Sequence, residues 1–133
     1  MSQENVNQVR EAVDAFNRRD LDAYLALMEP DVELTPYERA VEGLGPYRGH
    51  AGVRTWWQES LAALPDLRAD LDQLRDSGDM VFAGGRLHGS GAQSGAPIER
   101  MLWIAVRVRD RKAVSWHTFA SEAEALKAVG LEE

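Results

Sequence analysis

The sequence predicts an α+β fold in which an antiparallel sheet packs against helices on one face. Apolar residues recur at three- and four-residue spacing in the first half of the chain, whereas most segments after Pro65 alternate between apolar and polar residues. Helices collected ahead of strands are typical of this class, because the strands can then pair with one another. The 133 residues, 44% of them hydrophobic, indicate one domain over residues 1–133.

Three helices are predicted before Pro65. The first covers residues 3–17, where apolar side chains return every three or four positions. The second follows Asp20, a residue type that caps helices, and ends at Pro30. The third covers residues 50–64 and ends at Pro65, because proline cannot continue a helix.

Five strands and a last helix complete the predicted order. A short strand is expected at residues 32–34, followed by a long loop over 36–49 that holds two prolines and three glycines. Ser121 is placed to cap the last helix, and Gly130 is placed to end it. The four longer strands are predicted at residues 67–74, 80–88, 98–109 and 113–119.

Composition disfavours several classes of function. The net charge of −7, from 15 basic and 22 acidic residues, would repel nucleic acid and anionic lipid headgroups. The chain has no cysteine, which excludes disulfides, thiolate nucleophiles and thiolate metal sites. No apolar run is long enough to span a bilayer, and the N-terminus lacks the features of a signal peptide. We therefore expect a cytoplasmic protein with no cofactor, no metal, no nucleic-acid partner and no membrane partner.

The register of the hairpins predicts which side chains share a face of the sheet. A tight turn at Asp110 and Arg111 would place His117 beside a long aliphatic row, which we assign to the interior. The predicted interior residues are Leu67, Ala69, Leu71, Met80, Phe82, Arg86, His88, Leu102, Ile104, Val106, Val108, His117 and Phe119.

The opposite face of the sheet would expose Met101, Trp103 and Trp116 under this register. That is more apolar surface than a monomer usually leaves in water. We therefore expect a homodimer in which Trp103 and Trp116 meet their counterparts through the outer face of the sheet.

Four segments carry a family likeness. YRGHAGVRTWWQE over residues 47–59, the turn at Gly78 and Asp79, SGAPIE over 94–99 and SEAEALKAVGL over 121–131 stand in a characteristic order. Together they resemble the SnoaL-like branch of the nuclear transport factor two-like superfamily, over nearly the whole chain. The resemblance implies a curved antiparallel sheet wrapped around N-terminal helices as a cone with an internal pocket, and a homodimer formed through the sheet.

The resemblance leaves two classes of function open. The superfamily includes polyketide cyclases, ketosteroid isomerases, epoxide hydrolases and dehydratases, and a shared fold does not choose among them. We expect a protein that binds a small apolar or aromatic molecule, as a cofactor-free isomerase, cyclase or hydratase working by acid–base chemistry. The alternative is a non-catalytic ligand-binding or dimeric interaction module.

The predicted site residues come from the predicted interior. His117 and His88 are the candidates for proton transfer, and Arg86 is the candidate for stabilising an anion, although Arg86 could instead pair with Glu99. Either histidine could instead be a hydrogen-bonded structural residue. The nearest carboxylates to the predicted pocket are Glu33 and Glu38. The expected ligand-binding residues are Tyr24, Met28, Trp57, Phe82, Ile104 and Phe119.

Overall fold

The computed structural model describes residues 2–131, in which five helices and six strands form one α+β unit. The helices are α1 Ser2–Asn17, α2 Leu21–Ala26, α3 Tyr37–Val41, α4 Gly49–Ala63 and α5 Glu122–Ala128. The strands are β1 Met28–Thr35, β2 Tyr47–Arg48, β3 Arg68–Ser77, β4 Met80–Ser90, β5 Pro97–Arg109 and β6 Lys112–Phe119. None of the helices described is both long and apolar enough to cross a bilayer.

The six strands form a single curved sheet in the order β2-β1-β6-β5-β4-β3. Four of the strand pairs are antiparallel, and β1 runs parallel to β6. The sheet wraps around α1, α2 and α4, and a buried apolar cluster fills the space between them. We call the sheet face toward these helices the inner face and the opposite one the outer face. The predicted fold class, a cone-shaped sheet around N-terminal helices, is confirmed.

The predicted helices are present, with changes at their ends. Asp20 caps α2 as expected, because its side-chain oxygen accepts a hydrogen bond from the Ala23 N–H at 3.0 Å. The helix stops at Ala26, before the predicted limit at Pro30, and Met28 already begins β1. The segment predicted as a loop over 36–49 contains the short elements α3 and β2.

The predicted turn between β5 and β6 is confirmed. Arg109 pairs with Lys112, and the two turn residues between them, Asp110 and Arg111, have φ angles of 51° and 66°. Two consecutive positive φ angles are typical of the tight type I′ turn, whose twist matches that of the strands it joins. The pairing at the end of this hairpin is therefore the one from which the faces of the sheet were predicted.

A β-bulge follows in β6 and reverses the predicted faces. Val108 pairs with Ala113, but its neighbour Arg107 pairs with Ser115, which leaves Val114 as an extra residue. Side chains alternate between the two faces of a strand, so one extra residue exchanges the faces beyond it. The predicted placement of the second half of β6 is therefore wrong.

The bulge puts Trp116, His117 and Phe119 on the opposite face of the sheet from the one predicted. Trp116, expected on the outer face, is 5% exposed in the inner cluster, and its ring lies 6.4 Å from that of Tyr24. His117, expected inside, pairs with Ala105 on the outer face and stacks on Phe119. The predicted inner positions of Ile104, Val106 and the rest of their row on β5 agree with the buried cluster.

A second bulge lies in β3. Gln73 pairs with Gly84 and Leu71 pairs with Gly85, so Asp72 is the extra residue there. Leu67, Ala69 and Leu71 consequently face inward, on the opposite side of the sheet from the outer row of β4. That outer row of β4 carries Met80, Phe82, Gly84, Arg86 and His88. The predicted inner placement of Met80, Phe82, Arg86 and His88 is therefore wrong.

The last helix covers part of the outer face. Ser121 caps α5 as predicted, accepting a hydrogen bond from the Glu124 N–H at 3.3 Å. The helix packs on β4, β5 and β6, where Leu126 and Val129 enclose Phe82 in a second apolar cluster. The expectation that the helices all lie on one face is therefore wrong for α5.

Candidate functional site

A cavity of about 510 Å³ lies between the inner face of the sheet and the helices. Every helix except α5 and every strand except β1 contributes at least one residue to its wall, and Pro36, which directly follows β1, also lines it. The residues that line it are Val13, Phe16, Tyr24, Pro36, Tyr37, Glu38, Arg39, Tyr47, Trp56, Ser60, Ala63, Leu64, Leu67, Ala69, Leu87, Arg100, Met101, Leu102, Ile104, Trp116, Thr118, Phe119 and Ala120.

Aromatic side chains form the buried floor of the cavity. Tyr24 is 2% exposed, and its ring stacks on Trp56 at a centroid distance of 6.0 Å and an interplanar angle of 21°. The rings of Phe16 and Trp116 each lie 6.4 Å from the Tyr24 ring. These rings and the buried Ile104 give the floor a flat, apolar surface.

Polar side chains surround the mouth of the cavity, where the lining residues are exposed. The carboxylate of Glu38 on α3 pairs with the guanidinium of Arg100 on β5. The Tyr37 N–H donates a hydrogen bond of 2.7 Å to Thr118 Oγ1 on β6. These two contacts join α3 to the sheet on either side of the opening.

A second polar group at the mouth holds the segment between α3 and α4. The Arg39 guanidinium lies 4.2 Å over the Tyr47 ring, and its Nε donates to the Gly45 carbonyl at 2.7 Å. The Tyr47 hydroxyl donates to Glu59 Oε1 at 2.7 Å. Partial burial and, after it, this hydrogen bond raise the pKa of Tyr47, so the phenol is protonated at neutral pH.

The structure places only some of the six predicted ligand-binding residues at the cavity. Tyr24, Ile104 and Phe119 line it. Phe119 reaches it from the end of β6, but its side chain packs on the outer face beside Trp103, so its predicted inner placement is wrong. Met28 is buried in the inner cluster outside the cavity wall, and Trp57 packs behind the floor, with its ring 5.1 Å from Tyr24. Phe82 lies on the outer face under α5.

The predicted catalytic residues lie on the outer face, away from the cavity wall. The His117 imidazole stacks on the Phe119 ring at 4.2 Å, and burial lowers its pKa. Arg86 pairs with Glu99 at 3.3 Å, as the alternative interpretation of this arginine expected. The three residues do not converge on one point of the cavity, because the bulges reversed the faces from which they were predicted.

His88 belongs to a charged group of its own on the outer face. Its Nε2 donates to Asp70 Oδ2 at 2.7 Å, and Arg68 lies 3.2 Å from the other oxygen of that carboxylate. Hydrogen bonding to His88 lowers the pKa of Asp70, and the nearby Arg68 acts in the same direction. Within residues 2–131 no three histidine, aspartate or glutamate side chains are grouped closely enough to hold a metal ion.

The sequence held signals for some of the lining residues that were not predicted. Arg100 continues the alternation of Leu102 and Ile104 along β5, so its inner position could have been read from the same pattern. Trp56 aligns with Ser60 on one side of α4, whereas the Trp57 side packs behind the floor. Thr118 could not have been found, because its inner position depends on the bulge in β6.

Comparison with known proteins agrees with this architecture. The family described as the SnoaL-like domain matches residues 9–116. The chain belongs to the SnoaL-like domain family. No significant match was found among curated protein sequences.

This SnoaL-like chain is similar to several solved structures. An NTF2-like protein of unknown function from Burkholderia pseudomallei is 26% identical, with a TM-score of 0.78 over 96% of this chain and 98% of that one. IdmH from Streptomyces antibioticus, a candidate polyketide cyclase, is 25% identical, with a TM-score of 0.76 over 95% and 98%. A ketosteroid isomerase-like protein from Catenulispora acidiphila is 17% identical, with a TM-score of 0.75 over 93% and 92%, and shows the fold alone.

Proposed function

We propose that this SnoaL-like domain binds a flat, largely apolar small molecule in its cavity. The observation that carries the proposal is the cavity of about 510 Å³ with aromatic rings at its floor and polar groups at its mouth. Sites for small organic ligands are typically concave and apolar, with a few polar groups that orient the ligand. A bicyclic or tricyclic aromatic molecule fits this volume and could stack on Trp56 or Trp116.

Two neighbouring alanines on α4 allow a matched test. Ala62 and Ala63 are both exposed, but only Ala63 lines the cavity. We expect the hydrocarbon tetralin to shift the tryptophan indole signals of the wild-type protein and of Ala62→Trp in a nuclear magnetic resonance titration. Ala63→Trp should weaken this binding at least about tenfold, because the new ring would occupy the mouth. Equal binding by both variants, or no binding of tetralin to the wild type, would contradict the proposal.

Acid–base catalysis is a second candidate function, favoured by the carboxylate at the mouth. Glu38 lines the cavity and could accept a proton from a carbon next to a ligand carbonyl, with Arg100 beside it to hold negative charge. The similarity to IdmH, a candidate polyketide cyclase, supports an enzymatic role. Its alternative is a domain that binds its ligand without changing it.

Proton exchange separates catalysis from binding. In D2O, a catalytic cavity should accelerate deuterium incorporation at C2 of bound 1-tetralone, and Glu38→Gln should reduce the rate to that of buffer while the ketone still binds. Bound ketone that exchanges only at the buffer rate in the wild type would support non-catalytic binding. The catalytic roles of His117, His88 and Arg86 stay predictions, which slower exchange in the single variants His117→Gln, His88→Gln or Arg86→Gln would support.

The outer face is proposed as a homodimer interface. Met101 is 47% exposed there, and the Trp103 ring lies across Gly84, where an added Cβ would meet it at 2.7 Å. A second copy would cover these apolar groups and meet the charged side chains of Arg86 and Asp70. Trp116 is not part of this proposal, because it lies in the inner cluster. A cytoplasmic location likewise stays a prediction.

A further inference from the structure

Tyr24 occupies an unusual position in the cavity floor. It is 2% exposed, and aromatic rings surround it, including that of Trp57 at a centroid distance of 5.1 Å and that of Trp56 at 6.0 Å. Packing of this density holds the phenol ring in one orientation. Because Tyr24 also lines the cavity, any molecule that reaches the floor meets this side chain.

The Tyr24 hydroxyl has no hydrogen-bond partner among the residues described. Some polar groups at the cavity have partners within the protein, such as the Tyr47 hydroxyl with Glu59 and the Tyr37 N–H with Thr118. A buried tyrosine hydroxyl normally has a partner, because leaving it without one in apolar surroundings is unfavourable. The Tyr24 hydroxyl is not among the buried polar atoms that lack a partner, so it is open to the cavity, where water or a ligand can accept its hydrogen bond.

The protonation state defines what that partner must be. Burial alone raises the pKa of Tyr24 far above its ordinary value, so the phenol keeps its proton throughout the physiological range. A protonated phenol offers one O–H donor that a neutral or anionic oxygen can accept. In apolar surroundings such a hydrogen bond discriminates strongly between a ligand that has the acceptor and one that lacks it.

We propose that the Tyr24 hydroxyl donates a hydrogen bond to an acceptor oxygen at the inner end of the ligand, so that the cavity selects cyclic ketones and related oxygen-bearing molecules over hydrocarbons of the same shape. This inference rests on the proposed ligand-binding function and adds a specificity-determining residue to it. In this pose the ligand's oxygen lies at the floor, away from Glu38 and Arg100 at the mouth. The pose therefore belongs to the ligand-binding function and excludes proton transfer by Glu38 next to the same carbonyl.

A pair of probes that differ in one oxygen tests the inference. 1-Tetralone and tetralin share a bicyclic frame, and only the ketone has an acceptor. Tyr24→Phe removes the hydroxyl and keeps the ring, and Tyr47→Phe is the control, because its hydroxyl is already bonded to Glu59. We expect Tyr24→Phe to weaken binding of 1-tetralone about tenfold and that of tetralin less than twofold. Tyr47→Phe should leave the ratio of the two affinities unchanged.

The ¹³C chemical shift of a labelled carbonyl gives a second readout, because it reports the hydrogen bond and not the packing around the ligand. The ¹³C signal of 1-tetralone labelled at its carbonyl should shift downfield on binding to the wild type and return toward its free position in Tyr24→Phe. Equal losses for both probes, or an unchanged carbonyl signal in Tyr24→Phe, would overturn the role of Tyr24 while tetralin binding still supports the cavity. Failure of both probes to bind the wild type would overturn the proposed function and this inference together.

Discussion

His117 lies where the outer face is partly covered. Its imidazole is parallel to the Phe119 ring, with an interplanar angle of 4°, and it stands opposite Ala105 on β5. Partial burial favours the neutral imidazole over the charged one, which lowers the pKa of His117. No carboxylate is among the causes of this shift, so nothing offsets the cost of charging the ring.

This placement predicts a pH dependence of stability. Because the pKa of His117 is lower in the folded than in the unfolded protein, the unfolded chain takes up the proton first as the pH falls. The stability that neutral His117 contributes is therefore complete above the ordinary histidine pKa of about 6.5. It is lost as the pH falls toward the pKa of His117 in the folded protein.

We expect the melting temperature of the wild type to fall more between pH 7.5 and 5.5 than that of His117→Gln, by roughly 1–2 °C because the ring is partly exposed. Ser115→Ala, on the same strand and face, is the control and should keep the wild-type dependence. Circular dichroism melts at five pH values would measure this. Parallel pH curves for the wild type and His117→Gln would contradict the prediction.

The residue-level site was only partly predictable. Tyr24 and Ile104 follow from helical and strand periodicity, which is a local property of the sequence. Trp116 and His117 do not, since their faces depend on how β6 pairs with β5 beyond the bulge. The Glu38 and Arg100 pair joins two segments 62 residues apart, a contact that no local pattern reveals.

At the level of elements, α3 is the helix with the fewest buried contacts to the rest of the protein. It has five residues, none of them buried, and Val41 beside the end of the helix is 67% exposed. Its links to the sheet are the Tyr37 hydrogen bond to Thr118 and the ion pair between Glu38 and Arg100. A short helix with few buried contacts opens at low cost, so α3 is the element through which a ligand would enter.

Removing the ion pair between Glu38 and Arg100 should therefore change the rate of ligand dissociation more than it changes the stability of the fold. Both of its side chains are about half exposed, so we expect Arg100→Gln to lower the free energy of unfolding by less than about 1 kcal/mol. The dissociation rate of bound 1-tetralone should rise roughly three- to tenfold, because α3 then has one link to the sheet fewer.

Arg107→Gln provides the control for this prediction. It removes the ion pair with Asp79, which has similar exposure and lies near the β3–β4 turn, outside the cavity wall. Line-shape analysis of the ligand signals would give the rates for both variants and the wild type. The same dissociation rate in Arg100→Gln and Arg107→Gln would contradict the role of α3.

Most elements were predictable, and the bulges mark where prediction stopped. Asp20, Pro65 and Ser121 signal helix ends through capping and through the geometry of proline, which are local effects. Val114 and Asp72 look like ordinary strand residues, yet each adds one position to its strand. A count of alternation along the sequence has no means of detecting that extra position.

At the scale of the whole molecule, the sheet has two faces with different surroundings. The inner face carries the cavity, and the outer face carries α5 at one end and the side chains of Met101, Trp103 and Arg86 beyond it. Trp103 is only partly buried, since Phe82 covers one side of its ring at a centroid distance of 6.2 Å. Met101 also lines the cavity, but Trp103 does not, so a substitution of Trp103 tests association without changing the cavity wall.

Trp103→Glu should yield a folded monomer. A carboxylate at the centre of the proposed interface would be buried next to its symmetry copy, and we expect the dimer dissociation constant to rise at least about 100-fold. Val41→Glu makes a similar change at an exposed site on α3, outside the proposed interface, and should leave the dimer intact. Sedimentation velocity would measure both, and a wild-type protein that is monomeric at 100 μM would contradict the interface.

The parallel pairing of β1 with β6 also affects how the chain acquires its structure during synthesis. Leu34 pairs with Trp116, so a strand from the first third of the chain finds its longer partner only when nearly all residues have been made. Until then its neighbour is the two-residue β2. Contacts this distant in sequence form slowly. Newly made chains would therefore stay open until β6 has left the ribosome, and the apolar floor would be among the last parts to close.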